Sequence, residues 1–121
     1  MTIRLSKPWL DLEGLDREEL PAQLGVFQIA DADRNVIFVG YGGGTRAFGL
    51  RTAIEEQRQR LGHRARFVRF ELTHGYLSRW EELMMVHQHD HGSHPSANDD
   101  STAPRGRLTP IGGPEGAPDD D

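Results

Sequence analysis

The chain has 121 residues, which suits one small domain, and its formal net charge is -5. It contains no cysteine, so disulfides and thiolate metal sites are excluded. No early apolar run resembles a signal peptide and no stretch is long enough to span a bilayer, so a cytoplasmic protein without a membrane partner is expected.

Residues 1–23 carry little periodicity. Trp9, Leu10 and Leu12 are the apolar anchors. Leu15 to Leu20 fits one helical turn, with Asp16 as N-cap and Pro21 as its stop. This segment is expected to be an arm packed over a sheet edge.

Residues 24–98 form the expected domain. Gly25-Val26-Phe27-Gln28-Ile29 and Val36-Ile37-Phe38-Val39-Gly40 are apolar runs rich in β-branched and aromatic residues. The polar stretch Ala30 to Asn35 between them supplies a turn, so the pair predicts a β-hairpin. Tyr41 and three glycines, Gly42 to Gly44, follow as a connector. A P-loop would need Lys-Ser/Thr after the last glycine, and Thr45-Arg46 stands there instead.

Phe48 to Leu61 predicts a helix, with Leu50, Ala53, Ile54, Gln57 and Leu61 on one face and Gly62 as its stop. Arg66 to Leu72 alternates and predicts a third strand, with Val68, Phe70 and Leu72 on one side. Tyr76 to about His89 predicts a second helix, with an apolar stripe of Leu77, Trp80, Leu83, Met84 and Met85. On that helix Glu81 falls beside the stripe and Glu82 toward water. The fold class is therefore α/β of the α+β kind: a small antiparallel three-stranded sheet flanked by helices. From residue 99 to residue 121 Ser, Pro, Gly and Asp dominate, and an acidic disordered tail is expected.

Lys7 is the one lysine in the chain. Eight arginines fall between Arg46 and Arg79 (among them Arg51, Arg58, Arg60 and Arg69), against Glu55, Glu56 and Glu71. Such a face suits phosphate or carboxylate, so DNA, RNA or an acidic protein is the expected partner, with Arg46, Arg58 and Arg60 as contacts.

Gly25-Val26-Phe27, followed at hairpin spacing by Phe38-Val39-Gly40, resembles the paired signature of the GIY-YIG nuclease family. The likeness extends over roughly Leu24 to Asp99. It implies a divalent-metal-dependent endonuclease using one Mg²⁺ or Mn²⁺. In that reading Arg51 contacts the scissile phosphate, Glu81 rather than Glu82 binds the metal, and Asn98 supports the site. Phenylalanines, Phe27 and Phe38, stand where the family has tyrosines; Tyr41, just past Gly40, or Tyr76, at the start of the second helix, could supply a phenol, and catalysis is expected to be weak or lost. The alternative is a non-catalytic module that binds nucleic acid or an acidic protein through its arginines. A third possibility lies in His87, His89, His91 and His94 with Asp90, where helical spacing would bring imidazoles together as in Zn²⁺ sites.

Overall fold

The computed structural model describes residues 4–43 and 48–98. It is an α+β fold. In chain order come β1 (Leu10–Asp11), β2 (Gly25–Ala30), β3 (Val36–Gly42), α1 (Gly49–Leu61), β4 (Phe67–Leu72) and α2 (Tyr76–His91). Single 3-10 turns lie at Arg17–Glu19 and Gly62–Arg64. The sheet is antiparallel, in the order β1-β4-β2-β3. It has four strands where three were expected. The fourth is the arm's Leu10–Asp11, which pairs with Val68 and Phe67. Two residues are too few to show an alternating pattern, so that strand is set by its partner and not by its own sequence.

β2 is central and every one of its residues is buried. That explains why it reads as a continuous apolar run: a strand covered on both faces has no polar side. Its one polar member, Gln28, accepts a hydrogen bond from Arg69 Nε at 2.8 Å. The covers are the two helices, one on each face. On the first face Phe27, Ile29, Phe38 and Val68 meet Leu50, Ala53, Ile54 and Leu61 of α1, with Leu12 and Leu20 of the arm. On the second, Val26 and Val39 meet Leu5 and the α2 residues Trp80, Leu83 and Met84. Each fully buried Leu, Ile or Phe contributes about 1.5–3 kcal/mol. Among the described residues no helix is long and apolar enough to cross a membrane.

Local signals explain the element ends. In the hairpin turn, Asp31 Oδ1 accepts from the N–H groups of Asp33 and Asn35, both at 3.0 Å, and Arg34 takes a left-handed φ of 65°. α1 has no side-chain N-cap. Its first N–H groups are met by the arm: Leu50 N–H donates to Gln23 O and Arg51 N–H to Pro21 O, both at 2.9 Å. α2 runs to His91, past the expected end, and stops at Gly92, whose φ of 80° suits glycine.

The stripe on α2 needs correcting. Trp80, Leu83 and Met84 are buried, but Leu77 and Met85 are 52% and 67% exposed. The strands beneath α2 cover a narrower band than five apolar positions suggest.

Two motif glycines are set by close approach. A Cβ on Gly40 would lie 2.6 Å from the Phe38 ring and 2.7 Å from the Phe27 ring. A Cβ on Gly25 would collide with the Glu71 carbonyl of β4. Gly40→Ala should therefore destabilise the fold by about 1–3 kcal/mol through overpacking. Gly75→Ala, where the nearest atom is 3.8 Å away, meets no overpacking and should cost less, about 0.5–1 kcal/mol, from the poorer N-cap of α2. Urea unfolding midpoints of the two variants provide the check.

Candidate functional site

The positions carrying the hairpin motif lie inside the first core. Phe27 and Phe38 are both buried, with ring centroids 5.8 Å apart. Neither ring edge opens to solvent. The pattern of glycine and aromatic residues here is a packing pattern: two rings cross over Gly40, and α1 closes on Gly25 through Leu50.

The α1 arginines are engaged by the main chain. Arg51 Nε donates to Leu20 O at 3.0 Å. Arg58 Nη2 donates to Leu12 O at 2.7 Å, and its Nη1 donates to Leu15 O and to Glu55 Oε2, both at 3.1 Å. Arg60 Nη2 donates to Ala97 O at 2.9 Å, with its guanidinium 5.4 Å from the Phe38 ring centre. These forks staple the arm and residues 95–98 to α1. The expected row of phosphate-binding arginines on this helix therefore holds carbonyl oxygens instead. Sequence gives the cation but not its acceptor, because the acceptors lie 31 to 46 residues away. Arg46 lies outside the described residues.

The other expected catalytic groups fall elsewhere. Tyr41 is on the α2 face, stacked on Tyr76 at 5.6 Å and edge-on to Trp80 at 5.3 Å. Asn98 clasps the β3 backbone: its Oδ1 accepts from Val39 N–H at 2.9 Å and its Nδ2 donates to Val39 O at 3.0 Å. Glu81, expected beside the stripe, is exposed. Glu82 is the more sheltered of the two. It takes Arg79 Nη1 at 2.5 Å, and Arg79 Nη2 pairs with Glu71 of β4 at 3.1 Å. The reversal has a local cause: Arg79 is drawn to Glu71 and carries Glu82 with it. Arg51 and Glu81 thus stand on helices covering opposite faces of one sheet. Their helices draw on separate apolar clusters, and among the described residues Arg51 is bonded to Leu20 O and not to a carboxylate.

The described histidines do not converge as a set of three. His87 and His91 rings lie 4.4 Å apart, but His87 Nδ1 donates to Ser93 O at 2.9 Å. Asp90 is held by Arg4 through two hydrogen bonds of 3.0 and 2.7 Å, which keep its carboxyl down at about 2. Among the described residues no three His, Asp or Glu side chains are placed to hold a metal ion.

Sequence reasoning missed a different neighbourhood, along β4 and the arm. Arg69 stacks over the Trp9 ring at 4.1 Å and bonds Gln28 Oε1, with Lys7 O at 3.5 Å. All three partners are neutral. Burial pushes this guanidinium down from its ordinary range. Beside it an open groove of about 410 Å³ is floored by Leu10, Phe70 and Leu72. The signal available in sequence was the alternation Arg69-Phe70-Glu71-Leu72, which places charge on one face and apolar side chains on the other.

Two outcomes test these assignments. Asn98→Ala should cost about 1–2 kcal/mol and speed hydrogen exchange at the Val39 amide, because both hydrogen bonds are lost. The second concerns His87. Burial, the largest influence, lowers its imidazole from the ordinary range; His91 lowers it further, and the Ser93 and Val36 backbone and Asp90 oppose the shift. The folded state thus favours the neutral ring. Its contribution is full above the unfolded-state pKa of about 6.5 and is lost as pH falls through that value toward the folded one. Denaturation midpoints should drop between pH 7.5 and 5, and His87→Gln should reduce the drop.

Comparison with known proteins adds a family but no activity. No curated protein and no solved structure matches this chain. The family described as Domain of unknown function (DUF7508) matches residues 3–90, which include all four strands and nearly all of α2. The chain belongs to that family, the Domain of unknown function DUF7508.

Proposed function

We propose that this domain is a non-catalytic interaction module that holds an acidic protein partner. One observation carries the reading: the groups that would have to converge for phosphodiester hydrolysis are divided between the two faces of the sheet. Arg51 belongs to the α1 side, and Tyr41 and Glu81 to the α2 side. Positioned catalysis requires those groups within hydrogen-bond reach of one phosphate. The Phe38 ring, where the family resemblance would place a tyrosine, is 3% exposed and packs between the Phe27 ring and the Arg60 guanidinium. A binding role asks less of the geometry, because a cationic, partly apolar surface suffices.

A second reading, nucleic-acid binding, is favoured by one patch. Arg34 and Arg66 lie 4.8 and 5.7 Å from the centre of the Phe67 ring, and Arg64 is exposed nearby in sequence. Guanidiniums gathered on an aromatic ring can meet phosphates.

A nuclease assay on single- and double-stranded DNA and on RNA, with Mg²⁺ or Mn²⁺, tests the proposal. No cleavage is expected from the wild-type chain or from Phe38→Tyr. Metal-dependent cleavage abolished by Arg51→Ala or Glu81→Gln would overturn it. Binding to nucleic acid that weakens linearly on a log–log salt plot, with a slope flattened by Arg64→Ala and Arg66→Ala, would favour the second reading.

A further inference from the structure

We propose that the open edge of β4 docks an extended acidic segment of a partner protein as an added strand. The inference rests on the interaction-module reading and gives it a place. β4 pairs with β2 along its whole length, from Phe67 to Leu72. On its other side β1 covers Phe67 and Val68 alone. Among the described residues no strand pairs with Arg69 to Leu72 on that side.

The main chain there is oriented for pairing. Thr73 N–H donates to Leu24 O on the β2 side at 3.1 Å, while Arg66 O accepts from Leu12 N–H on the β1 side at 2.8 Å. Alternation along an antiparallel strand then turns the N–H and C=O groups of Phe70 and Leu72 outward. Unpaired edge groups of this kind are a template for another chain.

The side chains state what that chain should carry. Phe70 and Leu72 share the α1 face of the sheet, opposite Phe27 and Gly25 of β2, and Leu72 and Leu10 are 50% and 37% exposed. Arg69 and Glu71 share the α2 face, opposite Gln28 and Val26. Glu71 is already paired with Arg79. Arg69 has no carboxylate within ion-pair distance among the described residues, and Lys7 lines the same groove. A half-buried guanidinium surrounded by neutral acceptors gains from a carboxylate more than an exposed one does. An added strand with apolar side chains over Phe70 and Leu72, and an acidic one opposite Arg69, meets all of these groups. Its pattern is apolar–acidic alternation with period two.

The probes are two acetylated, amidated pentapeptides, one alternating valine with glutamate and one alternating valine with lysine, titrated into the full chain. The glutamate peptide should protect the Phe70 and Leu72 amides from hydrogen exchange and bind at least tenfold more tightly than the lysine peptide. Lys7→Gln and Arg69→Gln should each weaken it severalfold. Leu72→Asn, which removes an apolar side chain lining the groove and adds no charge, should do the same without touching the ion pairs. Absence of protection at millimolar peptide, or equal affinity for both peptides, would overturn the proposal. So would protection without peptide that grows with protein concentration, marking a second copy, or that vanishes on deleting residues 99–121, marking the chain's own C-terminal segment. The nuclease assay fails or succeeds separately: cleavage with the amides still protected would remove the non-catalytic reading and leave the docking edge standing.

Discussion

Gly25 to Ala30 form a strand buried on both faces, and the placement of every other element depends on it. A strand covered on both faces needs a layer on each side. α1 supplies one layer and α2 the other. The two helices therefore build separate apolar clusters, Leu50, Ala53 and Ile54 on one face and Trp80, Leu83 and Met84 on the other. The burial that stabilises the domain is the constraint that assigns Arg51 and Glu81 to different layers. The glycines serve this geometry too. Gly25 lets the Glu71 carbonyl and Leu50 close in, and Gly40 makes room for two phenylalanine rings.

Arginine then does structural work that a small apolar core leaves undone. Arg51, Arg58 and Arg60 reach from α1 to main-chain carbonyls of the arm and of residue 97. A planar fork with several donors can satisfy two carbonyls and a carboxylate at once, as Arg58 does, whereas an ammonium on a flexible stem would be held less firmly. The near absence of lysine suits a chain whose cations are clamps. It also explains why a count of basic residues overstates the surface available to a polyanion.

Much of the fold is legible in the sequence, because its signals are local. Apolar runs around Asp31-to-Asn35 give the hairpin, helical spacing from Leu50 to Leu61 gives α1, and alternation gives β4. What is not legible is relational. The two-residue β1 exists through Val68 and Phe67. The face taken by each helix is not encoded in its own periodicity. Glu81 and Glu82 illustrate the limit: the angular position of a residue on a helix does not reveal that Arg79 will be drawn to Glu71 on a neighbouring strand. The candidate site suffers most, since it was assembled from residues whose roles depend on partners tens of positions away.

The two edges of the sheet are treated differently, and the difference carries functional weight. On β3, Ala97 N–H donates to Ile37 O and the Asn98 amide takes both main-chain groups of Val39, so residues 97–98 pair with that edge without forming a strand. Trp80 Nε1 also donates to Val39 O, reinforcing the closure from the α2 side. On β4 the arm pairs for two residues and then diverges, leaving a groove between itself and the strand. An exposed edge is an aggregation liability unless something blunts it. Here charge does so: Lys7, Arg69 and Glu71 stand along the open segment. Charged gatekeepers that deter an apolar or like-charged strand admit one of complementary charge, so the same residues that protect the edge also select what can occupy it.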